Sequence, residues 1–206
     1  MKHQIREQLQ NWPQPFIRSY ALKNILQKEG QAFHSAVKYA LKEGALIRIQ
    51  RGLYRIDERL INKFELAQEL HGPSYISLES ALSYHNWIPE AVQTTTSCCL
   101  KRSKEITTPL GLFSYSTAPL DGFYTGVERM KNGSIFLLAT PWRALADLIH
   151  TQKRSWRNVH ALSDDLRIEY EDLFTSDFRS LEELATCYQN GHVRKTLSTF
   201  LRQLGG

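Results

Sequence analysis

Side chains that commonly contact DNA are concentrated near the start of the chain. Cations suited to phosphate oxygens recur between residues 38 and 55, and short polar side chains suited to base edges precede them. The cations are Lys38, Lys42, Arg48, Arg51 and Arg55, and the polar residues are Gln31, His34 and Ser35. This combination predicts a surface that binds double-stranded DNA.

The positive charge of the chain belongs to its N-terminal quarter. Residues 1–56 carry ten Lys or Arg against three Asp or Glu, a net charge of +7, whereas residues 57–206 carry sixteen against eighteen, a net charge of −2. A compact basic segment predicts a small domain that binds a polyanion, followed by a larger domain with a different function. The alternative is a protein-interaction module without DNA affinity, whose basic face is only solvated.

The spacing of apolar residues predicts the helix that carries the polar set. Intervals of three and four residues form one buried stripe, which consists of Phe33, Ala36, Val37, Ala40 and Leu41. Gly44 stands where a helix commonly ends. The polar and basic residues of this segment therefore point away from the core. Amphipathic segments around Leu9 and after Ser19 predict two earlier helices.

After Gly44 the apolar residues recur at every second position, as in a strand, and no longer at the helical intervals of three and four. Ile47 and Ile49 alternate with Arg48 and Gln50 in a first strand. Residues 51–52 form a tight turn, and residues 53–56 form the second, antiparallel strand. The pattern predicts a β-hairpin with arginine at its tip. Three short helices followed by a basic hairpin are the order of a winged helix-turn-helix, whose third helix enters the major groove. Residues 1–58 are therefore predicted to be such a DNA-binding domain.

Residues 59–206 are predicted to form a second domain, which makes the chain an α+β protein. A helical linker covers residues 59–71. Over residues 72–150, Ser77 is expected to cap a helix and β-forming stretches to build a small antiparallel sheet. Residues 156–206 have helical periodicity and predict a helical end.

Motifs for catalysis, metals and cofactors are absent from the sequence. The seven histidines have no zinc-binding spacing, and there is no glycine-rich phosphate loop, nucleophile elbow or dinucleotide fingerprint. The three cysteines have no paired spacing, and no apolar run reaches membrane length. We therefore expect a cytoplasmic protein that is not an enzyme, with no catalytic residue, metal site or cofactor.

Two enzymatic alternatives rest on specific residues. A metal-dependent nuclease could use a group of carboxylates, with the winged helix delivering the substrate. These carboxylates are Asp164, Asp165, Glu169, Glu171 and Asp172. Solvated carboxylates on a charged helix are the simpler interpretation. Cys98 and His85 could form a thiol and its base, although nothing in the sequence places them together.

An ordered series of motifs resembles the AbiEi antitoxins of bacterial abortive-infection systems, a type IV toxin-antitoxin class. The series begins with IRIQRGLY at residues 47–54 and YISLESALSYH at residues 75–85, followed by Ile88-Pro89-Glu90. It continues with Thr108-Pro109-Leu110-Gly111, then Gly126-Val127-Glu128-Arg129, and TPWRALADL at residues 140–148. The resemblance spans most of residues 20–149.

The resemblance implies a transcriptional autorepressor. Its winged helix would bind inverted repeats in double-stranded DNA upstream of its own operon, and the third helix and the wing would form the DNA face. Because the two half-sites of a palindrome are each bound by one DNA-binding domain, two protomers are expected to assemble on DNA. The C-terminal domain would counter a nucleotidyltransferase toxin, directly or indirectly, and the family is not known to be enzymatic.

Overall fold

The computed structural model describes residues 2–56, 59–131 and 133–205. The chain divides into two compact units: unit 1 comprises Met1–Asn62 with Thr108–Leu110, and unit 2 comprises Lys63–Thr107 with Gly111–Gly206. The predicted domain boundary after residue 58 falls on residues outside the described ranges. Each unit contains helices and a sheet, so the chain is a mixed α+β protein.

The described part of unit 1 combines three helices with a three-stranded antiparallel sheet. Its elements are α1 (Lys2–Leu9), β1 (Phe16–Arg18), α2 (Ser19–Leu26), α3 (Gly30–Lys42), β2 (Leu46–Gln50) and β3 (Leu53–Ile56). The strand order is β1-β3-β2, with β3 paired to both neighbours. The three predicted helices and the hairpin are confirmed, whereas β1 was not predicted.

The core of unit 1 lies between the helices and one face of this sheet. Phe33, Val37 and Ala40 of α3 are buried in it, and Ala36 and Leu41 pack against it. The sheet contributes Ile17, Leu46, Tyr54 and Ile56 to the same cluster. The predicted apolar stripe of α3 is therefore confirmed. Full burial of such a side chain contributes about 1.5–3 kcal/mol relative to exposure.

Strand β2 departs from the predicted alternation of isoleucine and polar residues. Arg48 pairs with Tyr54 and Gln50 pairs with Leu53, so Ile49 is an extra residue in a β-bulge. Ile49 is buried, but Ile47 is 40% exposed. A bulge shifts the side-chain period by one residue, which explains why the alternation of Ile47 and Ile49 fails.

Arg59 ties the end of α1 to the segment that follows β3. Its guanidinium donates hydrogen bonds to the carbonyl oxygens of Leu9 at 2.9 Å, Gln10 at 3.2 Å and Gln14 at 2.8 Å, and also to that of Trp12. The last carbonyls of a helix have no partner within the helix. Arg59 therefore supplies a charged cap to α1 from a distant part of unit 1.

Unit 2 is built around a six-stranded mixed sheet. Its strands are β4 (Ser74–Ile76), β5 (Thr95–Cys99), β6 (Lys104–Thr108), β7 (Gly111–Thr117), β8 (Val127–Met130) and β9 (Phe136–Ala139). Their order is β6-β7-β5-β4-β9-β8. The prediction of a small antiparallel sheet was wrong, because β5 pairs in parallel with β7 and β4 in parallel with β9. The long connections between the parallel partners make this pairing possible.

The helices of unit 2 are α4 (Lys63–Leu70), α5 (Leu78–Tyr84), α6 (Pro141–Gln152), α7 (Val159–Leu166), α8 (Tyr170–Thr175), α9 (Arg179–Cys187) and α10 (Gly191–Leu204). The predicted helical end is confirmed, and the predicted linker is helical from Lys63 onward. Helix α6 is central, since it contacts α5, α9, α10 and β9. Thr140 caps it by accepting a hydrogen bond from the Arg143 amide at 3.3 Å, and Pro141 is its first residue.

Among the described residues, we found no helix with the length and apolar character needed to cross a lipid bilayer.

Candidate nucleic-acid interface

The predicted side chains of α3 form the outer face of that helix. Gln31, His34, Ser35, Lys38 and Lys42 are all exposed, whereas the stripe from Phe33 to Ala40 faces the core. Consecutive residues of a helix are turned by roughly 100°. Lys42, Gln31 and Ser35 therefore lie near the middle of the outer face, Lys38 lies next to them, and His34 lies on one flank.

The cations of α3 and of the hairpin are free of carboxylates in the part of unit 1 that the structure describes. Lys38, Lys42, Arg48 and Arg51 are exposed, and none of them forms an ion pair with a described residue. A cation without an internal partner keeps its full charge available to a polyanion. These side chains can contact phosphate without first breaking an ion pair to any described residue.

Arg55 differs from the other cations of the hairpin. It lies opposite Ile47 and Phe16 in the sheet, whereas Arg48 lies opposite Tyr54. Residues that face each other across strands share one side of a sheet, so Arg55 and Arg48 lie on opposite sides. Arg55 is half-buried, and its Nε donates a 3.0 Å hydrogen bond to the Arg59 carbonyl. The structure therefore does not bring Arg55 together with Arg48.

Helix α2 adds two side chains that sequence analysis did not select. Tyr20 is 70% exposed, and Lys23 places its Nζ 5.5 Å from the centroid of the Phe33 ring. Because Leu22 and Leu26 of α2 are buried, residues 20 and 23 lie on its outer face. The apolar spacing of α2 already contained this information, since its buried positions define the opposite face.

The start of α2 is also fixed to the hairpin turn. The Ser19 amide donates a 2.8 Å hydrogen bond to the Gly52 carbonyl. Gly52 has a φ of +81°, which an L side chain rarely adopts, and a Cβ there would lie 3.5 Å from Ser19 Oγ. Glycine therefore allows the tight turn that holds Arg51 beside the first residues of α2.

A groove of about 490 Å³ runs beside the outer face of α3. Ile5 of α1 and Leu26 of α2 contribute apolar lining, and Lys28 and Tyr39 contribute polar atoms. Ser35 borders this groove as well as the outer face of α3. Ser35 therefore lies between the outer face and this groove.

The carboxylates of the nuclease alternative have other partners or are dispersed. Asp165 accepts hydrogen bonds from Arg154 at 2.7 Å and from the Trp156 indole at 2.9 Å, and Asp164 lies 3.5 Å from His160. Across residues 2–56, 59–131 and 133–205, no three His, Cys, Asp or Glu side chains are grouped so that they could hold a metal ion.

Unit 2 contains a buried charged network that sequence analysis missed. Arg143 and Asp147 of α6 are 1% and 0% exposed, and Arg143 Nε lies 3.0 Å from Asp147 Oδ1. The hydroxyls of Tyr75, Ser77 and Tyr188 donate to the Asp147 carboxylate at 2.8, 2.7 and 3.1 Å. The four-residue spacing of the ion pair was visible in the sequence, but it is equally typical of an exposed helix face.

The same network gives Ser77 a role different from the predicted one. Ser77 does occupy the position before α5, but its side chain accepts no hydrogen bond from that helix. Its hydroxyl is directed to Asp147 instead. Ser77 is therefore the N-cap residue of α5 by position, but the predicted side-chain cap is not formed, because the rotamer that serves Asp147 accepts no amide hydrogen bond from the helix.

Arg143 also fixes the loop between β7 and β8. Its Nη1 donates to the carbonyls of Gly122 at 2.8 Å and Thr125 at 2.9 Å. Burial is the largest single effect and disfavours the charged guanidinium, but the Asp147 carboxylate together with Tyr75 and Tyr188 outweighs it, so the pKa of Arg143 is raised. The buried Arg143 is therefore permanently charged, and its hydrogen bonds hold the loop between β7 and β8 in place.

The Cys98 and His85 pair gains no support as a catalytic dyad. Cys98 is fully buried on β5, and burial raises the pKa of its thiol well above the usual range. His85 Nε2 lies 2.9 Å from the Ala139 carbonyl oxygen. The thiol is thus kept protonated, and the imidazole has a backbone partner of its own.

No protein-family model matches the chain, and no curated protein matches it.

Proposed function

We propose that this protein is a DNA-binding antitoxin that represses its own operon, with unit 1 acting as a winged helix-turn-helix. The observation that carries the proposal is the set of exposed cations on α3 and at the hairpin turn. Lys38 and Lys42 lie about one turn apart on the outer face of α3, and Arg51 stands at the turn. No described carboxylate pairs with any of them.

In this proposal α3 enters the major groove of the DNA. Gln31, His34 and Ser35, near the start of the helix, reach the edges of bases and select the sequence. Lys38 and Lys42 meet phosphates or guanine edges. The side chains of α3 therefore divide into a set that specifies the site and a set that supplies affinity.

The hairpin supplies further contacts to the DNA backbone. Arg48 and Arg51 are exposed and carry these contacts. Arg55 contributes less, since it lies on the other side of the sheet and is hydrogen bonded to the Arg59 carbonyl.

The antitoxin part of the proposal rests on the resemblance to the AbiEi family. We propose that two protomers assemble on inverted repeats upstream of the operon, and that unit 2 counters a nucleotidyltransferase toxin, directly or indirectly, without being an enzyme. The family motifs at residues 75–85 and 140–148 contribute Tyr75, Ser77, Arg143 and Asp147 to the buried network of unit 2. These four motif residues therefore support the stability of unit 2.

The proposal is tested by gel-shift titration against the DNA upstream of the protein's own gene, with scrambled DNA as competitor. Specific binding in two steps is expected, and it should weaken strongly between about 50 mM and about 200 mM salt because phosphate contacts release counterions. Joint substitution Lys38→Ala, Lys42→Ala and Arg51→Ala should weaken binding and flatten the salt dependence by about 0.9 in log–log slope per lost phosphate contact.

A matched control removes the same charge from unit 2. Joint substitution Lys104→Ala, Lys195→Ala and Arg157→Ala changes three exposed cations there and should leave the affinity nearly unchanged. An equal loss of DNA affinity in both triple variants would mean that the affinity depends only on the net charge of the protein. Absence of specific binding by the wild-type protein would refute the repressor and favour an interaction module.

The antitoxin activity is tested by co-expression with any nucleotidyltransferase that proves to be encoded in the neighbouring gene. Restored growth is expected, and co-purification then distinguishes direct from indirect antagonism. Unrestored growth would limit the proposal to its DNA-binding part.

A further inference from the structure

We propose that the groove between α1 and α3 of unit 1 binds a small amphipathic anion, a molecule with an apolar body and one carboxylate, and that this ligand lowers the affinity of unit 1 for DNA. The binding site rests on the groove itself, whereas the effect on DNA rests on the proposed function of unit 1. The ligand is then an inducer, which releases the repressor from its operator.

The groove has the size and the lining of a small-molecule site. Its volume is about 490 Å³, and pockets for small molecules typically enclose about 300–1,000 Å³. Ile5 and Leu26 are 8% and 6% exposed and supply its apolar floor. Ala32 and Ala36 of α3 also line it and leave space, because each side chain is only a methyl group. The apolar part of a ligand can therefore be accommodated between the two helices.

The charge of the groove selects an anion. Lys28 is the one charged residue of its described lining, and it is exposed and forms no ion pair with a described residue. Ser35 and Tyr39 add two hydroxyl groups, which have no hydrogen-bond partner among the described residues. A carboxylate accepts hydrogen bonds from hydroxyls and a stronger, charge-assisted one from an ammonium. A ligand with a carboxylate therefore suits these groups, and a cationic ligand does not.

The turn between α2 and α3 fixes Lys28 at the groove. Helix α2 ends at Leu26, and Gln27 follows in the left-handed conformation with a φ of 50°. The Lys28 amide donates a 3.3 Å hydrogen bond to the Lys23 carbonyl, a common way for a helix to end. Leu26 and Lys28 therefore contribute an apolar and a charged side chain to the groove from one ordered turn.

Ser35 couples the groove to the proposed DNA interface. It lines the groove and also lies on the outer face of α3, among the residues proposed to reach bases. A hydroxyl has one donor, so a hydroxyl that donates to a ligand cannot donate to a base. A bound carboxylate also places negative charge beside a surface that meets phosphates, and like charges repel. Ligand and DNA therefore weaken each other's binding, by the same factor in both directions.

Ligand binding is tested on the full chain with anilinonaphthalene sulfonate, a fluorescent amphipathic anion, and with octanoate as its competitor. Saturable dye fluorescence that octanoate reverses is expected. Lys28→Gln should weaken octanoate binding by about tenfold or more, because it removes the charge-assisted bond. Its affinity for octanol, the uncharged analogue, should stay unchanged. Ala32→Phe should abolish dye binding, because the added ring occupies the apolar space of the groove.

Two control variants make the same changes in unit 2. Lys195→Gln removes an exposed ammonium from α10, and Ala91→Phe adds a ring to a cavity of about 290 Å³ that Ile88 and Leu166 also line. Neither variant should alter dye binding. Loss of dye binding in Ala91→Phe with retention in Ala32→Phe would assign the dye to unit 2 and overturn the inference. Equal octanoate affinity of Lys28→Gln and the wild-type protein would also overturn it, even if Ala32→Phe fails to fold.

The effect on DNA is measured by gel shift on the upstream duplex with and without octanoate, at constant ionic strength. Octanoate should weaken binding by the wild-type protein, and Lys28→Gln should need about ten times more octanoate for the same effect. If octanoate displaces the dye but leaves DNA binding unchanged, the proposed effect on DNA is overturned. If the dye binds at the groove but the wild-type protein binds no duplex, the repressor is refuted and the binding site stands. Specific DNA binding without saturable dye binding overturns the binding site and leaves the repressor.

Discussion

Arg143 and Asp147 stand one turn apart in α6, with 3.0 Å between Nε and Oδ1, and both side chains are sealed from solvent. The carboxylate also receives three hydroxyl groups, and the guanidinium also reaches two loop carbonyls. Removing charges from water is costly, and only such complete pairing compensates for it. The pair is therefore stable only as long as its partners are present.

Substitution of Asp147 by Asn should destabilise unit 2 strongly. It leaves the Arg143 cation buried without a counterion, which typically costs about 3–5 kcal/mol in the free energy of unfolding. Urea unfolding followed by tryptophan fluorescence measures this loss. Asp164→Asn is the matched control, since it makes the same change in an exposed i, i+4 pair with His160. A similar loss of unfolding free energy in Asp147→Asn and Asp164→Asn would show that burial of the ion pair is not what makes it important.

Substitutions on α3 should separate sequence recognition from affinity. The joint variant Gln31→Ala, His34→Ala and Ser35→Ala should lower binding to the operator by about tenfold or more and leave binding to scrambled DNA unchanged. Lys38→Gln should lower both affinities. Competition gel shifts measure, for each variant, the ratio of its affinity for the operator to its affinity for scrambled DNA. A fall of this ratio in Lys38→Gln would show that Lys38 contacts a base.

The stability of unit 2 should fall as the pH decreases below about 6.5. Burial lowers the pKa of the His150 imidazole, so the unfolded chain binds a proton at a higher pH than the folded chain. Stability is therefore full above the ordinary pKa and is lost as the pH falls through the lower folded value.

Two histidine variants test this pH dependence. His150→Gln should show a smaller loss of unfolding free energy between pH 7 and pH 5 in urea titrations, since it removes the group that titrates. His192→Gln, at an exposed position on α10, should retain the wild-type profile. Identical profiles for all three proteins would refute the assignment to His150.

Loss of the Arg59 cap should release α1. Arg59→Gln removes bonds to the carbonyls of Leu9, Gln10, Trp12 and Gln14, and bonds to a charged donor contribute about 1.5–3 kcal/mol in favourable cases. Hydrogen exchange over residues 2–9 should become faster, whereas Arg51→Gln should leave it unchanged. Unaltered exchange in Arg59→Gln would mean that packing of Ile5 and Leu9 alone holds the helix.

Periodicity predicted the helices and the hairpin of unit 1 because each has one buried face. The intervals from Phe33 to Leu41 defined α3, and with it the exposure of Lys38 and Lys42. The bulge at Ile49 was not predictable, because an extra residue in a strand leaves no mark on composition. Tyr20 and Lys23 were missed for a different reason: their relation to Gly52 and Phe33 depends on tertiary contacts.

Unit 2 was less predictable because its central elements have no polar face. Strand β4 is only three residues long and is buried throughout, so Ser74–Ile76 shows no alternation. Strand β6 was missed since Lys104 and Glu105 give it a charged start. The burial of Arg143 and Asp147 depends on β4, the loop between β7 and β8 and the residue after α9 meeting at α6, and local sequence carries no signal for that.

Tyr188, which follows α9, completes the hydrogen bonds of Asp147 across 41 positions of the chain. A stop codon anywhere between α6 and this residue would yield a protein that lacks the hydroxyl together with α10. Deletion alleles should therefore lose every activity of unit 2 at once, wherever its functional surface lies. Only missense alleles of exposed side chains can map that surface genetically.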